Sequence, residues 1–267
     1  MGLSIRALRC ILAFGLASLV GLPSAARGGP LADALREQGR TCPERTADFP
    51  SVLSLAVFES SGVRILVASG GIAHGDSERL RAYLGTAGRV DEVWLDSPGG
   101  NAAEGPRIGR VIRRARLATR IPAGFQRISS CTLAFLGGVV RRVDAGGAYG
   151  IHTFFYANSY KEVLSKLGNA PSGEEAVRQL RRYMHESEQS SAILAAEMQV
   201  YMQEMGISRN FLHKEMLRQK SIDVTTDVEI LDMQKRGISM EQIAKSVQTY
   251  TCPTTAVLRS YNIINVD

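Results

Sequence analysis

Two hydrophobic patterns alternate along residues 52–156. Apolar runs rich in Val, Ile and Leu are typical of strands, whereas apolar positions three or four residues apart are typical of amphipathic helices. Strands are therefore predicted at residues 52–59, 63–72, 92–97 and 118–122, with two more within 143–156, and helices after Asp76 and at residues 102–117 and 129–136. This alternation favours a mostly parallel sheet with helices packed against it.

After Ser172 the pattern is helical throughout. The predicted helices there span residues 174–205, 209–220, 227–236 and 240–248. We expect this C-terminal third to form a helical lid, a surface for self-association, or both. The chain is long enough for one α/β domain with a sizeable core. We place that domain at residues 51–240, between an N-terminal arm (27–50) and a C-terminal tail (241–267).

The first 26 residues have the pattern of an export signal. Arg6 and Arg9 precede an uncharged apolar run, and Ser24-Ala25-Ala26 supplies the small residues of a cleavage site. The apolar run has about 13 residues, fewer than the ~20 that a membrane-spanning helix needs. We therefore expect cleavage and no stable membrane anchor afterwards, with an uncleaved single-pass anchor as the alternative.

Charge and composition limit the classes of partner. The net charge of +6 is mild for this length, and no basic block interleaved with aromatic residues is present. We therefore expect no nucleic-acid partner. The chain has no CxxC pair, no HExxH motif and no phosphate-binding loop, so neither a metal nor a cofactor is expected.

Three cysteines lie outside the signal. Cys42 and Cys252 sit near the two ends in polar contexts, each followed by a proline. They are predicted to form a disulfide, which fits an oxidising compartment. Cys131 is surrounded by apolar residues, so we expect a buried structural thiol rather than a nucleophile.

Three motifs between residues 94 and 152 carry candidate chemistry. WLDSPGGNAAEG places Gly99 and Gly100 after an apolar strand, where backbone N–H groups unobstructed by a Cβ can approach an oxyanion. RISSCTLAFLGG places Ser129 and Ser130 at the start of an apolar helix, whose dipole stabilises developing negative charge. YGIHTF places His152 on a strand as a candidate general base. Each motif also has a purely structural interpretation. The glycines could form an ordinary turn, a serine could simply cap the helix, and His152 could be a core residue.

These motifs, in this order, resemble the ClpP/crotonase superfamily and, within it, the exported ClpP-like serine proteases of Gram-negative bacteria. The resemblance covers roughly residues 50–240 and implies stacked strand–strand–helix units and a periplasmic peptidase acting on polypeptide. It implies Ser129 as nucleophile with Ser130 as runner-up, His152 as base, and oxyanion donors at Gly99, with Gly100 as neighbour, and at Ser130. Relatives assemble into rings or trimers, so a homo-oligomer is expected.

The resemblance leaves the third catalytic residue open. Matching positions gives Glu215 as the acid that orients His152, with Asp223 and Asp227 as alternatives, and a solvated surface charge is the structural alternative for each. A Ser-Lys dyad would instead use Lys161 or Lys166. Arg127 stands where exported relatives often have a cysteine, and we expect it either to bind an anionic group or to point to solvent.

Two other function classes compete with the peptidase. One is a catalytically inactive protein of the same fold that serves as a periplasmic binding or scaffold module, because a fold alone does not imply function. The other is a crotonase-type acyl-CoA enzyme, which also uses paired oxyanion N–H groups. Export argues against the second, since coenzyme A is not expected outside the cytoplasm.

Overall fold

A computed structural model describes residues 42, 49–152, 172–215, 232, 235–237 and 250–266. Its strands are β1 (Ser54–Ser60), β2 (Val63–Ser69), β3 (Glu92–Asp96), β4 (Ala118–Ile121), β5 (Gln126–Ile128), β6 (Arg141–Val143) and β7 (Ala148–Gly150). Its helices are α1 (Asp76–Thr86), α2 (Glu104–Arg114), α3 (Ser130–Leu136), α4 (Gly173–Glu204) and α5 (Thr255–Ser260). Residues 210–215 are also helical.

Five strands form the main sheet in the order β1-β2-β3-β4-β6. β1 runs antiparallel to β2, and the pairs from β2 to β6 are parallel. On β3, Val93 and Leu95 are buried in the core with the helices, as expected for one face of a strand with period two. The predicted α/β class, with a mostly parallel sheet and a helical C-terminal region, is confirmed.

A second, smaller sheet pairs β5 with β7 in parallel. The sequence patterns did not predict β5, because three residues are too few to show a strand periodicity. Its position depends on tertiary contacts, among them a bridge between Ser97 and Arg127. The small sheet is therefore attached at the carboxyl end of β3, where the glycine turn (residues 97–101) begins.

Helices α2 and α3 approach each other closely through glycines. A side chain at Gly105 would overlap the backbone oxygen of Ser130, and one at Gly109 would overlap the hydroxyl of Tyr201. That hydroxyl donates a hydrogen bond to Leu133 O at 2.7 Å. The first turn of α3 is thus held against α2 and the buried end of α4.

The C-terminal region is attached at several points. Only Leu194, Met198, Tyr201 and Met202 of α4 are buried, so the N-terminal half of this helix projects from the core. Helix α5, which was not predicted, begins at the Thr254 cap, whose side chain accepts from Val257 N. The predicted helices at residues 227–236 and 240–248 lie almost wholly outside the described residues, as does the predicted signal.

The predicted disulfide between Cys42 and Cys252 is present. Cys131 is buried, as predicted, and burial raises the pKa of its thiol to about 11, so it is a poor nucleophile at neutral pH. Within the described ranges, no helix combines the length and apolar character required to cross a bilayer.

Candidate active site

Ser129 has a strained backbone at the start of α3. Its φ of 58° and ψ of −133° place a non-glycine residue in a sparsely populated region that costs about 1–3 kcal/mol. The Ser129 side chain makes no capping hydrogen bond to the helix. Instead, the Thr132 hydroxyl donates to Ser129 O at 2.6 Å. The alternative of a plain helix-capping serine therefore does not describe Ser129.

The glycine turn lies directly against the start of α3. Gly99 has a φ of 89°, and a Cβ built on it would lie 2.6 Å from both Ile128 O and Ser129 Cβ, and 3.1 Å from Ser130 N. Any residue larger than glycine would thus collide with the backbone around Ser129. The Pro-Gly-Gly motif and the Ser-Ser motif, which are separate in sequence, meet in the structure.

The N–H groups of the turn have different surroundings. Gly99 N donates to Ser97 Oγ at 3.1 Å in a buried contact. Ile72 N donates to Gly99 O and Asn101 N donates to Ile72 O, each at 2.8 Å. Among the residues that the structure describes, no backbone hydrogen bond starts from Gly100 N or Ser130 N. Gly99 N–H, the predicted oxyanion donor, therefore already has an acceptor in the described structure, the Ser97 hydroxyl.

His152 lies one residue beyond the bridge that extends β7. The pairing of Ile128 with Gly150 puts the carboxyl ends of β5 and β7 at the same edge of the small sheet, and neighbouring strands are about 4.8 Å apart. Ser129 follows one end and His152 follows the other. His152 is half-buried. The register thus brings the candidate nucleophile and the candidate base to one edge.

The predicted acid candidates have different outcomes. Glu215, on the helical stretch 210–215, is only 1% exposed, so it is not the solvated surface charge that was the alternative for this position. Asp223 and Asp227 lie outside the described residues. So do Lys161 and Lys166 of the alternative dyad.

Arg127 lies in a different environment from the one that was predicted. Its side chain is fully buried, and loss of hydration lowers the pKa of the guanidinium to about 10, although Cys131 and Asp96 act in the opposite direction. Nη2 donates to Arg120 O at 3.1 Å, whereas Nε and Nη1 have no hydrogen-bond acceptor among the described residues. Arg127 therefore does not point to solvent.

Ser97 is the site residue that the sequence reasoning missed. Its hydroxyl accepts from Gly99 N and also contacts the Cys131 thiol. The signal available in the sequence was a hydroxyl two residues before the first glycine of the turn. Side chains in such positions often bond to nearby backbone.

Glu104 connects the helices behind the glycine turn. One carboxylate oxygen accepts from Ser77 N at 2.9 Å and the other from Arg107 Nη1 at 2.8 Å. Burial favours the neutral carboxyl, but these donors outweigh burial, so the pKa of Glu104 lies below its usual value. The ionised carboxylate therefore stabilises the folded state.

We expect Glu104→Gln to lower the free energy of unfolding at pH 7 by about 1–3 kcal/mol. Because the folded-state pKa is depressed, this contribution is present above the unfolded pKa of roughly 4.3 and is lost as the pH falls through the folded value. Urea unfolding of both proteins between neutral and acidic pH measures the difference. A difference that stays constant on acidification would show that the charge of Glu104 is not the cause.

Comparisons with known proteins identify similar solved structures. No protein-family model and no curated protein matches the chain. A mutant ClpP1 from Listeria monocytogenes is 14% identical, with a TM-score of 0.37, over 75% of this chain and 88% of that one. A mutant membrane-bound stomatin-specific protease is 17% identical, with a TM-score of 0.27, over 40% and 58%.

A putative enoyl-CoA hydratase from Rhodopseudomonas palustris is 15% identical, with a TM-score of 0.28, over 36% of this chain and 48% of that one. At these identities the similarity concerns the arrangement of strands and helices and says nothing of activity. The chain is thus similar in fold to a ClpP, a stomatin-specific protease and an enoyl-CoA hydratase.

Proposed function

We propose that the protein is an exported serine peptidase that hydrolyses polypeptide in the periplasm. The observation that supports this best is the contact between the glycine turn and Ser129, whose strained backbone leaves the side chain uninvolved in capping. Strain of this kind concentrates at functional sites. The Cys42–Cys252 disulfide supports the compartment, since such bonds persist in oxidising surroundings.

In the proposed reaction, Ser129 Oγ attacks the carbonyl carbon of a peptide bond while His152 takes the hydroxyl proton. The N–H groups of Gly100 and Ser130 donate to the oxyanion that forms. The C–N bond then breaks, and His152 gives the proton to the leaving amine. Water, deprotonated by His152, hydrolyses the acyl ester and regenerates the Ser129 hydroxyl.

Two further groups support this chemistry. The Gly99 N–H, bound to Ser97 Oγ, holds the turn so that the next N–H is available to substrate. Glu215, a buried carboxylate, is proposed to orient His152 and to stabilise its protonated form, as the acid does in a serine triad.

A fluorophosphonate probe tests the proposal, because it reacts covalently with an activated serine. We expect one adduct, located by peptide mass spectrometry on Ser129 and absent from Ser129→Ala. Ser130→Ala should retain the adduct, since it keeps the backbone N–H and the Ser130 side chain is only 2% exposed. Absence of any adduct on the folded wild-type protein would favour the inactive scaffold.

Self-association stays a prediction. The projecting half of α4 exposes Val177, Leu180 and Met184, at 57%, 38% and 53% of their surface. Large exposed apolar side chains grouped on one helix are typical of surfaces that contact another protein. A homo-oligomer would use such a surface.

A further inference from the structure

We propose that the Cys42–Cys252 disulfide positions His152. The link is the disulfide segment (residues 250–252), which pairs with the end of β7 next to that histidine. On this view the bond has a local task at the candidate site in addition to any contribution to global stability. The catalytic consequence rests on the proposed function, whereas the positioning of His152 does not.

Backbone pairing provides the first step. Ile151 N donates to Thr251 O at 2.7 Å, and Thr251 N donates to Ile151 O at 2.8 Å. This reciprocal exchange is one hydrogen-bonded pair of an antiparallel ladder. Thr251 is bonded covalently to Cys252 and Ile151 to His152, so the disulfide and the imidazole are each on the residue that directly follows one member of the pair.

Side-chain packing provides the second step. Cys42, Cys252 and Ala148 form a small buried cluster with Tyr250 against it. A Cβ built on Gly150 would lie 3.3 Å from Tyr250 Cδ2, so the tyrosine ring lies close over the β7 backbone. The disulfide segment thus packs near Ala148 and Gly150, the first and last residues of β7, and pairs with Ile151, the residue that follows.

The small sheet needs this support. β5 and β7 have three residues each, and a two-stranded pair of this length is marginally stable by itself. The disulfide segment adds one antiparallel bridge, between Thr251 and Ile151, directly after β7. Without the disulfide, the segment would lose its covalent link to Cys42, and the end of β7 would lose a partner held in a fixed position.

Formation of the bond follows export. The Cys42 and Cys252 thiols lose two protons and two electrons to a disulfide oxidant, which becomes a dithiol. His152 would therefore reach its working position only in the oxidising compartment. A peptidase built in this way has low activity before export, when the two cysteines are reduced.

Two variants distinguish the effect of the disulfide from the effect of the backbone pairing between Ile151 and Thr251. Cys42→Ala/Cys252→Ala removes the disulfide, while Thr251→Pro keeps it but lacks the N–H that donates to Ile151 O. The readouts are the pH titration of the His152 imidazole by NMR, assigned with His152→Gln, the phosphonylation rate of Ser129 and the melting temperature. We expect both variants to change the His152 titration and to slow phosphonylation by about 100-fold, the cost of misplacing a catalytic group by ~1 Å.

Asn265→Ala is the matched control. Asn265 accepts from Arg141 N and donates to Val139 O, so its loss loosens the same C-terminal region at β6, away from β7. It should lower the melting temperature and leave the His152 titration and the labelling rate unchanged.

Each result decides the inference. The inference is wrong if the folded double variant has the same His152 titration and the same labelling rate as wild type. If the double variant does not fold, the same comparison is made with Thr251→Pro. Equal changes in Asn265→Ala also overturn it, because they would reflect general loosening. If wild type is not labelled at all, the proposed function fails, and the titration still decides whether the disulfide positions His152.

Discussion

Replacing Gly99 with alanine is expected to slow phosphonylation of Ser129 by about 100-fold or more, the loss seen when one oxyanion donor is removed. The added Cβ would lie 2.6 Å from Ile128 O and from Ser129 Cβ, closer than real Cβ contacts allow. The turn must therefore move away from α3, and Gly100 N moves with it. The second-order rate constant of the probe, with the melting temperature, measures the effect.

Gly75→Ala is the control for backbone strain. Gly75 has a φ of 88°, nearly the same as the 89° of Gly99, but a Cβ there meets nothing within 4 Å. Both variants carry the same penalty for a left-handed alanine, about 1–2 kcal/mol, so both lose some stability. Only Gly99→Ala should be labelled more slowly than wild type. Equal labelling in the two variants would mean that the turn is not part of the reacting site.

Replacing each of the two buried arginines, Arg141 and Arg127, with methionine is expected to change the free energy of unfolding differently. Arg141→Met should lower the free energy of unfolding by about 3–5 kcal/mol. Arg127→Met should be neutral or stabilising, by up to about 4 kcal/mol. Both guanidinium groups pay for burial, which lowers the pKa of each to about 10. The difference lies in what they bind.

All three side-chain nitrogens of Arg141 have acceptors: Nε donates to Ile263 O, Nη1 to Gly138 O and Nη2 to Asn262 O, at 2.8–2.9 Å. Methionine would leave these carbonyls without their donor and release the C-terminal residues. Arg127 makes one such bond in the described structure, so methionine fills its volume and removes a desolvated charge. Urea unfolding of both variants measures the effects. Similar destabilisation of the two would contradict this account, because it would show that the poorly hydrogen-bonded Arg127 guanidinium is not a net cost to stability.

Much of the architecture was readable from local pattern. The β3 strand, the helix after the glycine turn and the helix opened by Ser129 were predicted, because burial of one face imposes a period on the sequence. The pairing of Cys42 with Cys252 was also predicted, since both lie near the ends of the chain in polar contexts and are followed by a proline. The order of the three motifs indicated which residues to consider as a site.

Other features had no local signal. β5 is too short for a periodicity, so its existence depends on Ser97 and on β7. Arg127 was expected to bind an anion or meet solvent, yet its side chain is fully buried and donates to Arg120 O, because it lies on β5, a strand that no pattern predicts. The hydrogen bond from Gly99 N to the Ser97 hydroxyl was not predicted either, because it depends on the backbone angles of the turn.

The sequence by itself determined the elements that bury an apolar face, the disulfide partners and the residue types available for chemistry, since these depend on local periodicity and composition. Only the tertiary structure decided which groups meet: the turn against Ser129, the strand end of His152 beside the disulfide segment, and Glu215 within the interior. Such contacts join positions far apart in the chain, and their geometry follows from the packing of whole elements rather than from any one segment.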